Sequence, residues 1–344
     1  MWYLEKVKPL SEPFALLAKK RQNQLTKPVG SLGRLEEIAV RFASRQGKLM
    51  PQVDNVQITV FAGDHGIADE GVSAFPQVVT TEMVKNFVSG GAAITVLAKQ
   101  WQAGFEIVDV GIADPLPELE GLISESVGQG TKSFLNEFAM TNSECLQAMQ
   151  VGKNAVIRAK KKGVELFIGG EMGIANTTSA TAIACKLLDR RAMDLVGLGT
   201  GISDEVKMHK VKIIEKSLMR TRSLKPLEVL ENYGGFEIAA LTGAYIASAQ
   251  QGISVLVDGF ICSVAALVAI KLNPDVILWL EFSHKSAEKG HKFILKYLGV
   301  KPLLNLNMRL GEASGSAIAL PILQSACALH KNMATFEEAS VSTK

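Results

Sequence analysis

Short apolar, β-branched runs recur along the chain, each stopping at a glycine or an acidic residue. They are Val56-Gln-Ile-Thr-Val-Phe-Ala62, Phe105-Glu-Ile-Val-Asp-Val110, Val164-Glu-Leu-Phe-Ile168, Met193-Asp-Leu-Val196, Ile253-Ser-Val-Leu-Val257 and Val276-Ile-Leu-Trp-Leu280. Between them lie segments of helical periodicity at 82–100, 143–162, 204–220, 259–272 and 286–298. Strands alternating with helices predict βαβ units with right-handed crossovers. Six such runs predict an α/β fold, a doubly wound, mainly parallel, Rossmann-like sheet. The first 50 residues and the last 25 carry no convincing strand and read as helical. The expected organisation is a small helical lobe from residues 1–50 and 320–344 beside a large α/β domain, residues 51–319. Residues 238–257 hold no charge, but Gln250-Gln251-Gly252 interrupts them, so they read as buried helix, turn and buried strand rather than a membrane span.

Composition narrows the class. The 344 residues carry a net charge of only +3, which argues against a protein built around nucleic-acid phosphates or an anionic membrane surface. Hydrophobic residues make up 47% and charged residues 21%, which excludes intrinsic disorder. Cys145, Cys185, Cys262 and Cys327 show no C-x-x-C spacing and read as small buried hydrophobes in a reducing compartment. The N-terminus shows no apolar signal region, so a cytoplasmic protein is expected. Ten Lys or Arg against four Glu in residues 1–50 read as a solvated basic helix face.

Chemistry gathers where the strands end, which in an open α/β sheet is where ligands bind. The first strand runs into Gly63-Asp-His-Gly-Ile67, and the third opens into Gly169-Gly-Glu-Met-Gly-Ile-Ala-Asn-Thr-Thr178. The fourth meets Gly197-Leu-Gly-Thr-Gly201, the fifth ends at Asp258-Gly259 and the sixth near Glu281. Two readings fit Asn176-Thr-Thr-Ser at a helix start: plain capping, or an anion site in which backbone N–H groups and the helix dipole hold a phosphate. Gly199-Thr-Gly201 would add donors, and Lys210, six residues into a helix that Asp204 would cap, would turn a cation the same way. No G-x-x-x-x-G-K-[ST] loop exists, and no G-x-G-x-x-G follows the first strand.

Two further groups stay open at this level. Glu312, within Arg309-Leu-Gly-Glu-Ala-Ser-Gly315, is either an acid favoured by a helix N-terminus or a partly desolvated carboxylate suited to general-base work. Asp64-His65 and the His284/His291 pair raise a metal hydrolase. Their spacing is not that of H-E-x-x-H, although the latter two could share a helix face, and polar anchoring of loops explains them better.

Taken in order, these clusters resemble the nicotinate-nucleotide–dimethylbenzimidazole phosphoribosyltransferase family, which makes the lower-ligand nucleotide of cobalamin. The resemblance begins at Leu25-Thr-Lys-Pro-Val-Gly-Ser-Leu-Gly-Arg-Leu-Glu36 and Ala62-Gly-Asp-His-Gly-Ile67, and continues through Gly170-Glu-Met-Gly-Ile-Ala-Asn-Thr-Thr178 and Gly199-Thr-Gly201. It extends to Gly234-Gly-Phe-Glu-Ile238, Val257-Asp-Gly-Phe260, His284-Lys-Ser-Ala-Glu288 and Arg309-Leu-Gly-Glu312. It implies transfer of the 5-phosphoribosyl group of nicotinate mononucleotide to 5,6-dimethylbenzimidazole, with inversion, giving α-ribazole 5′-phosphate and nicotinate. It also implies Glu312 as general base. The ribose-phosphate cradle would be Glu171, Gly173, Asn176, Thr177, Thr178, Gly201, Lys210 and Asp258. Ser73, Ala74, Glu82 and Met83 would meet the aromatic base. No cofactor and no metal is implied; the partners are the two small-molecule substrates and a second copy in a homodimer, with no nucleic acid and no membrane insertion.

Three positions depart from the family pattern. Ala175 stands where Gly is usual, Glu82 where Gln is frequent, and Asn305 where Asp is common. These leave the preferred aromatic base open rather than the reaction. The rival readings are a noncatalytic nucleotide-binding module of the same fold and, less well supported, a metal-dependent hydrolase.

Overall fold

A computed structural model of the chain describes residues 1–114, 116, 118–197 and 203–342. Helices α1 (Glu12–Gln24) and α2 (Arg34–Gln46) precede the first strand, β1 (Val56–Gly63). Then come α3 (Val78–Ser89), α4 (Ala93–Gln100), β2 (Gly104–Gly111), the short β3 (Leu122–Ser124) and α5 (Asn142–Lys161). Strand β4 (Leu166–Met172) feeds α6 (Asn176–Leu188), followed by α7 (Ala192–Leu195), α8 (Asp204–Met219), α9 (Pro226–Tyr233) and α10 (Phe236–Gln251). The chain closes with β5 (Ser254–Val257), α11 (Phe260–Leu272), β6 (Leu280–Phe282), α12 (His291–Leu298) and α13 (Ser314–Asn332).

The strands form one parallel sheet in the order β3-β2-β1-β4-β5-β6. The direction of strand addition reverses between β1 and β4, and this switch point opens a crevice at the carboxyl ends. Side-chain alternation sorts the two faces. Phe61, Phe167, Val255 and Val257 enter one core with α5, α6, α10 and α11. Val60, Ala62, Ile168 and Leu256 enter the other with α2, α4 and α13. The chain ends also meet: Arg21 Nε donates to the His330 carbonyl at 2.9 Å, and Leu25 bridges Thr335.

The doubly wound fold read from the pattern is present, but two of its strands are not where they were expected. Met193–Val196 belongs mostly to α7, where Ala192 and Leu195 bury at helical spacing. A four-residue run is too short for periodicity to decide. Residues 274–279 form a 3₁₀ helix begun by Pro274, and the strand is confined to Leu280–Phe282. Strand β3, three residues at a half-exposed edge, supplies the sixth member. The periodicity at 82–100 splits into α3 and α4, because Gly90 takes a left-handed φ of 81°. Helix α12 starts at His291 rather than 286, so His284 and His291 do not share a helix. The basic N-terminal face is not simply solvated: Arg45 is buried, and with Arg41 it grips Glu281 at 2.9 and 2.7 Å. Glu281 is thereby withdrawn from the strand-end crevice.

Residues 238–257 fold as α10, a left-handed Gly252 and β5. Among the described residues no helix is long and apolar enough to cross a membrane. Helices α5 and α10 approach so closely that a Cβ at Gly152 would stand 1.8 Å from the Ala240 carbonyl oxygen. Gly152→Ala is therefore expected to cost roughly 3 kcal/mol, read as a lower urea midpoint. An unchanged midpoint would contradict this packing.

Candidate active site

The crevice at the switch point is a cavity of about 550 Å³. Its wall includes Ser73, Glu171, Gly173, Asn176, Thr177, Lys210, Asp258 and Glu312, contributed by the loop before α3, β4 and the turn after it, α6, α8, the end of β5 and the loop before α13. Sequence positions more than 200 apart converge here because parallel strands all point their carboxyl ends the same way.

One end gathers a helix start and a buried cation. The β4–α6 turn reverses at Ala175, whose φ of 73° frees the start of α6 to face the cavity. Lys210 is buried and donates from Nζ to Thr177 Oγ1 at 2.7 Å, which holds a cation against the first turn of α6. Burial pulls its pKa down to about 8, a shift that the nearby Glu288 carboxylate partly offsets. Ser203, rather than Asp204, caps α8, accepting from Val206 N. An anion would meet a helix N-terminus and a desolvated ammonium together. A left-handed alanine costs about 1–2 kcal/mol, part of which the flexibility of glycine in the unfolded chain cancels. Ala175→Gly is expected to stabilise the fold by roughly 0.5–1 kcal/mol, measured by denaturant titration; destabilisation would contradict the strained turn.

The other end is acidic. Gly311, Glu312 and Ala313 have consecutive φ values of 88°, 61° and 70°, a turn that drives the Glu312 side chain inward. Burial first, then the charge of Asp258, raises the Glu312 pKa to about 7; a hydrogen bond from the Ile94 amide opposes the shift. Its Oε2 is buried with no hydrogen-bond partner among the described residues. Asp258 accepts the Ser316 amide at 2.7 Å and lies 3.7 Å from His284 Nε2. Glu171 is held well above its usual value by burial and by the charges of Glu237 and Asp258, while the Asn176 side-chain amide donates to it. A carboxylate poised near neutrality beside two buried carboxyl groups suits proton removal from a substrate that becomes cationic.

A phosphoribosyltransferase family profile matches residues 7–341. The nicotinate-nucleotide–dimethylbenzimidazole phosphoribosyltransferase of Ectopseudomonas mendocina is 52% identical over 345 aligned positions, covering 100% of this chain and 98% of that protein. The enzyme of the same name from Pseudomonas aeruginosa is 50% identical over the same coverage. The chain belongs to this phosphoribosyltransferase family. The crystal structure of the Thermus thermophilus family member superposes with a TM-score of 0.92 at 38% identity, covering 97% of this chain and 100% of that one.

Within this phosphoribosyltransferase frame, the residues expected from sequence fall into three groups. Glu171, Gly173, Asn176, Thr177, Lys210, Asp258, Glu312 and Ser73 line one cavity. Thr178 is buried behind it in α6, and Ala74, Glu82 and Met83 are not among its lining residues. Glu82 is exposed on α3, and Met83 packs half-buried against the α2–α4–α13 core. Gly201 lies outside the described residues, as does most of Gly197–Gly201. Glu171 belongs to the last turn of pleat in β4 rather than to the loop after it. The structure adds Met172, His284, Ser286 and Glu288 to the wall. Three of these stand in the His284-Lys-Ser-Ala-Glu288 motif, so the signal was present without a role attached. Among the described residues no three His, Cys, Asp or Glu side chains are grouped to hold a metal ion.

Proposed function

We propose that this chain is a nicotinate-nucleotide–dimethylbenzimidazole phosphoribosyltransferase acting in cobalamin lower-ligand synthesis. Glu312 carries the reading: a largely buried carboxylate with a pKa near 7 in the same cavity as a buried Lys210 at a helix start. The 5′-phosphate of nicotinate mononucleotide would sit against Lys210, Thr177 and the first turn of α6. Glu171 and Asp258 would face the ribose, where they accept its hydroxyls and favour positive charge developing at C1′.

The chemistry needs little more. A benzimidazole nitrogen forms a bond to C1′ as the C1′–pyridinium bond breaks and its electron pair returns to the pyridine nitrogen. The hydrogen of the other benzimidazole nitrogen passes to Glu312. Nicotinate leaves with a neutral ring nitrogen, so no acid is required to expel it. Attack opposite the leaving ring turns the β-configured carbon into α.

The finer parts of the reading have their own support. Ser73 on the cavity wall supports an aromatic-base side just before α3; Ala74, Glu82 and Met83, assigned to the same side, do not line the cavity. Contacts between α1 and the segment after α13 support a lobe of residues 1–50 and 320–344. Exposed Leu16 and Leu17 on α1 are consistent with a homodimer. A cytoplasmic enzyme acting on two small molecules completes it.

The test offers purified protein nicotinate mononucleotide with dimethylbenzimidazole, benzimidazole, adenine and phenol in competition, with and without chelator. The expected result is nicotinate release that depends on an aromatic acceptor and is indifferent to chelator. Release without any acceptor would point to hydrolysis, and activity abolished by chelator would revive the metal reading.

A further inference from the structure

The Gly63-Asp-His-Gly-Ile67 motif leaves β1 at the switch point but lies outside the cavity wall. Its His65 is fully buried and joins two helices across the switch point. One ring nitrogen, Nε2, lies 2.7 Å from Glu237 Oε1 at the start of α10; the other, Nδ1, lies 2.8 Å from Ser179 Oγ in the first turn of α6. Glu237 as a carboxylate only accepts, so Nε2 donates to it and Nδ1 receives the Ser179 hydroxyl. The ring has no room to turn. A Cβ at Gly235 would stand 2.1 Å from His65 Cε1, and one at Gly173 would stand 2.3 Å from the Gly63 carbonyl oxygen and 3.3 Å from the ring.

The same motif grips the turn from its other side. The Ile174 amide donates to Thr80 Oγ1 at 3.1 Å, and the Thr80 hydroxyl faces the Asp64 carboxyl, lowering a pKa that burial raises. Asp64 is itself fixed by the Ala113 amide at 2.9 Å. The Gly173–Thr177 turn, with its left-handed Ala175, is thus pinned at both ends by the residues that follow β1.

We propose that His65 is a positioning residue for phosphate recognition: through Ser179 it sets the orientation of the first turn of α6, which presents Thr177, and with it the Lys210 ammonium that reaches Thr177 from α8, to the nucleotide. This rests on the reading of that turn as the phosphate cradle. A brace of this kind acts on the phosphate-bearing substrate alone, because geometry at the cradle matters only when a phosphate is there.

The experiment compares kcat/KM for nicotinate mononucleotide with kcat/KM for nicotinate riboside, which lacks the phosphate, in wild type, Ser179→Ala, His65→Gln and Lys210→Ala. Ser179→Ala removes one hydroxyl from a helix and retains the fold, so it carries the test should His65→Gln fail to fold. The expected result is a fall of roughly tenfold in the nucleotide-to-riboside ratio for Ser179→Ala and His65→Gln, and a larger fall for Lys210→Ala. If Lys210→Ala lowers the ratio and Ser179→Ala leaves it at the wild-type value, the positioning role is overturned while the cradle stands. If Lys210→Ala also leaves the ratio unchanged, the cradle reading fails and takes the proposal with it.

Discussion

Glu312→Gln is expected to lower kcat by on the order of 10²–10⁴, the usual worth of a positioned base, with little change in the KM of nicotinate mononucleotide. Two features make the substitution informative. Glutamine keeps the shape of the side chain, so the strained turn at 311–313 is undisturbed, and it cannot take a proton. The wild-type profile should show kcat/KM falling about tenfold per pH unit below roughly 7, because burial and Asp258 hold the Glu312 pKa at about 7. That limb should vanish in the variant. Stability moves the opposite way. A carboxyl with a raised folded-state pKa binds its proton more tightly folded than unfolded, so stability falls as pH rises from the usual glutamate value to about 7. Above that the ionised group remains a cost of about 1–2 kcal/mol once solvent screening is allowed for. Glu312→Gln should therefore raise the denaturation midpoint at pH 8 while destroying turnover. An active variant, or an inactive one of lowered stability, would remove Glu312 from its role.

Lys210→Met should weaken nicotinate mononucleotide binding by about 10²-fold, the scale of a lost charge-assisted contact to phosphate. Benzimidazole binding should stay within a factor of about two of wild type, since an aromatic base has no use for the cation. The desolvation that pulls the Lys210 pKa to about 8 adds a second signature. The free protein loses the proton above that pH, so nucleotide affinity should decline through pH 8–9 in wild type and be flat in the variant. Isothermal titration at several pH values separates these outcomes. Equal loss for both ligands would indicate a damaged cavity instead of a missing cation.

The sheet was legible in the sequence wherever a strand was long enough to alternate. Residues 56–62 and 253–257 show apolar positions on both faces, as a doubly covered sheet demands, and they fold as β1 and β5. Met193–Val196 and Leu122–Ser124 are too short for a period to form: the first reads as a strand and folds mostly as α7, and the second carries no strand signal and folds as β3. In the site, Asn176, Thr177, Lys210 and Glu312 were legible because each stands in a glycine-flanked turn or a cation-bearing helix next to a strand end. What long-range packing decides was not. The Ser179–His65 contact joins residues 114 positions apart, and Arg45 reaches Glu281 across 236. Nothing local in either stretch announces its partner. Ala175 sits between these cases: it was visible as a departure from a family glycine, and its left-handed φ gives the departure a physical meaning.

The most direct test of the transfer reaction is the stereochemistry and stoichiometry of its product. Nicotinate mononucleotide and dimethylbenzimidazole would be incubated with the protein, and the new riboside examined by proton NMR as nicotinate release is counted. An α-configured benzimidazole riboside phosphate, formed one for one with nicotinate, is the predicted result. Free ribose 5-phosphate, or a β-configured product, would contradict single inverting displacement in this cavity.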